Sequence, residues 1–203
     1  MSSVIYKRTN EEDQSVRKSR EATAQSKARI VSAASRMVRE RGIDATSVAD
    51  VMEAAGMTNG GFYRHFRSKD EMIALAIGAA FAELAGRYDG RSEQDGAEAA
   101  MSAYVEEYLS EGHLEHPELG CPMASAGAEA ARNAGVFAQD FAAGAEEMIK
   151  RLAIGSHGGD AADRAKAIRC LATLVGAVVI ARAVGRGPLR DEILAACKPG
   201  LSG

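Results

Sequence analysis

Between Thr58 and Lys69 the chain gathers side chains suited to gripping a polyanion rather than to breaking a bond. Arg64 and Lys69 are cations, and Tyr63 and His65 can donate hydrogen bonds to phosphate oxygens. Thr58 and Asn59 suit base edges, since an Asn amide can pair bidentately with adenine. Ser47, a little upstream, joins them as a hydroxyl within the same segment. Gly60 and Gly61 have two readings, close approach of a nucleic-acid backbone or simply the loose amino end of a helix. Elsewhere the chain offers no Gly-rich phosphate loop, no nucleophile elbow and no acid/base pair at a meaningful spacing. An enzyme on this scaffold would have no visible chemistry.

Such side chains act only if an element presents them. Residues 46–69 read as two short helices about a glycine turn. Ser47 with Asp50 forms a capping box, Val48, Val51, Met52 and Ala55 give an apolar face, and Gly56 ends the first helix by tolerating positive φ. Thr58 is placed to cap the second, in which Phe62 and Phe66, four apart, face the core. Asn59, Gly60, Gly61, Tyr63, Arg64 and His65 are left outward. Ser68 with Glu71 opens a further helix at once. This is the layout of a helix-turn-helix reader of duplex DNA. Tyr63 between cations reads as functional, His65 as equally able to pack back, and Arg67 as solvated charge. Lys69 starts a helix, where the dipole disfavours a cation, so an external anion is its natural partner.

The segment 30–77 resembles the TetR/AcrR transcriptional regulators. The resemblance is carried by an apolar helix ending in Arg41-Gly42, then Thr46-Ser47-Val48, Ala55-Gly56-Met57, Gly61-Phe62-Tyr63-Arg64-His65-Phe66 and Ser68-Lys69-Asp70-Glu71. Family members often carry a bulkier or charged residue where Gly60 or Gly61 stands. Gly120-Cys121-Pro122-Met123-Ala124 is similar to one subgroup. The resemblance implies an all-α protein whose amino-terminal helix-turn-helix binds a pseudo-palindromic operator. It also implies a variable helical domain that takes a small-molecule effector and pairs through its last two helices with a second copy.

Composition and patterning agree. The chain has 203 residues, no Trp and only ten Phe plus Tyr, which suits helices packed through small and aliphatic side chains. Its net charge of −3 conceals a division. Residues 1–70 hold 13 Lys plus Arg against 9 Asp plus Glu, net +4, and residues 71–203 hold 12 against 19, net −7. DNA should approach the basic third, although +4 is weak for a non-specific DNA-binding protein. Three widely spaced cysteines fit reduced thiols in a cytoplasm. The polar amino terminus lacks a signal-peptide core, and the longest uncharged apolar run, 170–181, is too short for a membrane span.

The organisation expected is a polar basic arm over 1–25, a helix-turn-helix domain over 26–70 and a ligand-binding and dimerisation domain over 71–203. The arm begins disordered and turns helical. Core helices are expected at 26–41, 69–87, 94–110, 122–133, 136–152, 161–184 and 188–197, with loops at 89–92 and 112–120 and a turn at 155–159. The helix 161–184 is apolar on nearly every side in its second half, so a partner must cover it. Leu171, Leu174, Val175, Val178, Val179 and Arg182 are the expected dimer seam. Pocket-lining candidates are Phe81, Tyr104, Tyr108, Met123, Phe137, Phe141 and Met148, with polar groups from Tyr104, Tyr108, Glu129 or Arg132. Cys121 stands at a helix amino end, which favours thiolate and makes an oxidant or electrophile sensor the alternative function, a buried structural cysteine being its other and commoner reading. His113 and His116 beside it lack a fourth metal ligand, so neither a metal nor a cofactor is expected.

Overall fold

The computed structural model describes residues 2–133, 135–156 and 161–198, and among these the regular structure is all helical, without strands. The first helix, α1, runs Ser2–Arg41, with no break between arm and core. Nothing in that span is Gly or Pro, and Arg17 pairs with Glu21 one turn on at 3.1 Å. Gly42, at φ +89°, then ends it. Helix α2 is Val48–Ala54, a 3-10 helix spans Asn59–Arg64, and α3 is Lys69–Asp95. Ile30, Ala34 and Val38 of α1, Val51 and Met52 of α2, Phe62, Phe66 and Met72, Ile73 and Ile77 of α3 close the amino-terminal core.

Helix α3 continues through 89–92, where a loop was expected. Arg151 grips both carboxylate oxygens of Asp89, at 2.8 and 2.9 Å, and Arg91 pairs with Glu107 at 2.6 Å. Those bonds help offset the roughly 1 kcal/mol that Gly90 costs inside a helix. The chain turns at Gly96, φ +88°, into α4, Ala97–Tyr108. The expected loop at 112–120 instead holds α5, Glu111–Glu115, capped by Ser110, and a 3-10 turn, Pro117–Leu119.

Helix α6 is Pro122–Arg132 and α7 is Ala138–Ser156, beginning two residues later than expected and running through Gly155. Residues 157–159 of the expected turn lie outside the described residues. Helices α8, Ala161–Val184, and α9, Pro188–Cys197, have the expected bounds. Phe81 of α3 meets Phe141 of α7 edge-on at 5.8 Å, and the α7 backbone comes close because Gly144 is bare. A Cβ at Gly144 would run into the Phe81 ring.

Helix α8 departs from two expectations. By length and composition alone Ala161–Val184 is long and apolar enough to cross a membrane, contrary to the shorter run counted above. Much of it, however, is core: Leu171, Leu174, Val178 and Ala181 are buried within this one chain. Of the expected seam, Val179 is exposed, Val175 is half-buried, and Arg182 is turned inward to bond the carbonyls of His113 and Leu114. Ile168, Val179, Ile180 and Val184, with Leu189 on α9, form the apolar side left in the open.

Candidate nucleic-acid interface and effector cavity

The helix-turn-helix is built from local chemistry. The Ser47 hydroxyl accepts the Asp50 N–H at 3.1 Å, while the Asp50 carboxylate, instead of closing the box, binds Arg41 at 2.8 Å. Gly56, φ +70°, turns the chain, and Met57 N–H donates to the Met52 carbonyl. Thr58 is extended and makes no side-chain cap, correcting that expectation, so its hydroxyl is left exposed with Asn59 and Gly60. The recognition element is a 3-10 rather than an α-helix. Phe62 and Phe66 anchor it, 2 % exposed and stacked at 5.4 Å. Burying each is worth about 2–3 kcal/mol, which holds the short element in place.

On that anchor Tyr63 is 80 % exposed and Arg64 stands out beside it. His65 is half-buried, with its Nδ1 enclosed and unpartnered among the described residues. Gly60 and Gly61 have negative φ or ordinary backbone, and a Cβ at Gly60 would meet nothing. The fold itself does not require them. Lys69 has an internal partner, its ammonium reaching the Asp44 carbonyl at 3.4 Å, so no external anion is needed to explain it. The Glu71 N–H donates to Ser68 Oγ, and the Glu71 carboxylate accepts the Arg67 N–H at 2.7 Å, a bond that, with Lys27 nearby, lowers the Glu71 pKa.

The second feature is a cavity of about 240 Å³ between α3, α4 and the segment 110–121. Leu84, Tyr88, Tyr104, Tyr108, His113 and Cys121 form much of its wall, and it reaches the surface by His116 and Leu119. Of the expected pocket residues, only Tyr104 and Tyr108 line it. Phe81, Phe137, Phe141 and Met148 are packed in the core away from it, and Met123 is half-buried against that core. Glu129 accepts the Ile43 N–H, and Arg132 is exposed. Sequence reasoning missed Leu84 and Arg87, which it placed on the expected helix without a pocket role, and Tyr88 and Arg91, because it did not expect α3 to run on to Asp95.

The rings of Tyr88, Tyr104, Tyr108 and His113 follow one another at 5.8, 5.5 and 4.5 Å. His113 donates from Nδ1 to the Tyr108 carbonyl at 2.6 Å and accepts the Cys121 N–H at Nε2, 3.2 Å. A carbonyl only accepts and an amide N–H only donates, so the ring is the neutral Nδ1–H tautomer. Burial also lowers the His113 pKa. Gly120 makes room for the ring, since a Cβ there would strike Nε2. With both nitrogens engaged His113 is no metal ligand, and His116 turns to Glu118 at 3.2 Å. Cys121 is buried, and desolvation pushes its thiol pKa up, outweighing the Tyr108 hydroxyl and the N–H groups of Met123 and Ala124, against the thiolate that the sensor alternative needs. The thiol is protonated at neutral pH.

Two polar contacts tie this cavity to the helix-turn-helix. Arg39 of α1, 1 % exposed, donates to the Gly120 carbonyl at 3.3 Å beside Cys121 and pairs with Glu83 of α3 at 2.8 Å. At the other end of α6, Glu129 holds the Ile43 N–H just past the end of α1. A Cβ at Gly42 would collide with that carboxylate.

Comparison with known proteins agrees with this architecture. The HTH-type transcriptional regulator TtgR of Pseudomonas putida is 40% identical over 62 residues, 30% of this chain and 30% of that protein, so the match spans under a third of its length. The uncharacterized HTH-type transcriptional regulator Rv0196 of Mycobacterium tuberculosis is 28% identical over 170 residues, 76% of this chain and 82% of that one. The crystal structure of a TetR-family transcriptional regulator from Cytophaga hutchinsonii superposes with a TM-score of 0.74 at 17% identity, covering 90% of this chain and 96% of the other. Residues 30–76 match the domain described as bacterial regulatory proteins, tetR family.

Proposed function

We propose that this chain is a DNA-binding transcriptional repressor, released from a pseudo-palindromic operator by a small molecule bound in the cavity. The observation that carries the reading is the recognition element itself. Buried Phe62 and Phe66 fix a short helix whose outward residues, Thr58, Asn59, Gly60, Tyr63 and Arg64, are exposed and polar, aromatic or bare. Tyr63 and Arg64 suit phosphates, and Thr58 and Asn59 suit base edges in the major groove. Since the fold does not need Gly60 bare, close approach to DNA is the better of its two readings.

Two such elements must meet successive major grooves, so the unit of action is a homodimer working in the cytoplasm. The open apolar side of α8 and α9 is the surface that supports pairing. Coupling follows from connectivity. Helix α3 starts at Lys69 beside the reading element and lines the cavity with Leu84 and Tyr88, and Arg39 and Glu129 bind α1 to either end of α6. Effector and operator therefore oppose each other, each weakening the other by the same factor, about 1–3 kcal/mol. The thiol-sensor alternative loses ground to the burial of Cys121.

Titration of a labelled palindrome from the chain's own promoter region, against random DNA over a range of salt, tests the reading. Preference for the palindrome with a steep salt dependence is expected. Equal binding to both would leave a non-specific DNA-binding protein.

A further inference from the structure

Tyr104 and Tyr108 line the cavity, 6 % and 3 % exposed, and their enclosed hydroxyls have no hydrogen-bond partner among the described residues. The Cys121 thiol near Tyr108 is a weak acceptor at best. Tyr88, the next ring along, does satisfy its hydroxyl, on the Arg151 carbonyl at 3.3 Å. Burial raises the pKa of both Tyr104 and Tyr108 far above the ordinary phenol value, so they remain protonated donors. Native chains rarely leave buried donors unmet, and two on one wall call for an acceptor.

The charges around the cavity narrow the kind of acceptor. Arg87 is met by Glu83 at 3.0 Å and by the Leu119 carbonyl at 2.8 Å, and Arg91 by Glu107 at 2.6 Å. His113 is neutral, with both nitrogens engaged. The cationic groups on the wall thus already have partners, and a carboxylate entering here would lose its hydration without gaining a counterion. Apart from Glu107, Ser110 and His116, the remaining surface is apolar: Leu84, Ala100, Leu119 and the tyrosine faces.

We infer that the cavity's ligand is an uncharged, largely apolar molecule carrying a carbonyl-type oxygen, whose two lone pairs are taken by the Tyr104 and Tyr108 hydroxyls. This rests on reading the cavity as the effector site of a DNA-binding regulator. The oxygen sits deep, beside Cys121, and the apolar body extends toward Leu84 and Leu119. Binding is reversible, because the protonated thiol is a poor nucleophile.

The test uses the full chain with 2-acetylnaphthalene and 2-ethylnaphthalene, which share their rings and differ in the carbonyl, and with 2-naphthoate, which carries a charge. Calorimetry should show the ketone binding about tenfold more tightly than the hydrocarbon, with naphthoate weakest. Tyr104→Phe with Tyr108→Phe should keep the hydrocarbon's affinity and abolish the ketone's advantage. Each single variant should lose part of it. Equal affinity for ketone and hydrocarbon in the wild type, no binding of either, an advantage surviving in the double variant, or tightest binding of naphthoate overturns the assignment. Operator affinity measured on the same samples separates the two readings. Intact operator preference with no ketone advantage removes the ligand class alone, whereas wild-type protein without operator preference removes the regulator.

Discussion

At the scale of single residues the two functional regions rely on opposite kinds of exposure. Tyr63 is held out in the open, 80 % exposed, with its ring edge-on to Phe62 at 5.2 Å. Tyr63→Ala should therefore weaken operator binding by about 1–3 kcal/mol while leaving the melting temperature nearly unchanged. Anisotropy of a labelled operator beside a thermal melt checks both. His113 is the inward counterpart. Burial depresses its pKa below the usual value of 6.5, so as pH falls the unfolded chain takes up a proton before the folded one does. The neutral ring's contribution is present above about 6.5 and declines from there down to the depressed folded value, below which it is flat. Stability followed against pH should show this acid loss in the wild type and a smaller one in His113→Gln, whose amide does not titrate. Identical pH profiles would mean that the buried ring is not what titrates.

At the scale of elements, α6 is the bridge between cavity and reading head. Glu129→Ala removes the acceptor from the Ile43 N–H and should cost about 1–3 kcal/mol of stability. It should also shrink the factor by which an effector weakens operator binding. Calorimetric melting and operator titration with and without ligand test the two parts. The same elements show what was legible in the sequence. Helices α8 and α9 were bounded correctly because their ends are written locally, in Gly185, Gly187 and Pro188. The helix-turn-helix was legible for the same reason, as Ser47, Gly56, Phe62, Phe66 and Ser68 lie within one short segment. The extension of α3 was not, because the Asp89–Arg151 pair that overrides Gly90 spans 62 positions. The cavity suffered likewise, its wall being drawn from α3, α4 and the 110–121 segment. On α8 the failure was of another kind. A helix without a polar stripe has no written inside, so only packing shows that Val178 faces in and Val179 faces out.

For the whole molecule, that distinction decides where the twofold seam is to be sought. Val179 and Ile180 are 44% and 50% exposed on a long apolar helix, with Val184 and Leu189 beyond them. Val179→Asp should leave the single chain folded and shift sedimentation from dimer to monomer, because the carboxylate would be buried only in the pair. Val178→Asp, lying in the chain's own core, should unfold it instead. A Val179→Asp protein that sediments as an unaltered dimer would move the seam elsewhere. The row of rings along the cavity has an optical consequence for all of these experiments. The chain has no Trp, and three of its five Tyr, Tyr88, Tyr104 and Tyr108, line the cavity. With no indole to dominate the emission, the native ultraviolet signal is weighted toward the rings a ligand would touch. The protein carries its own occupancy gauge, readable without a dye or a label.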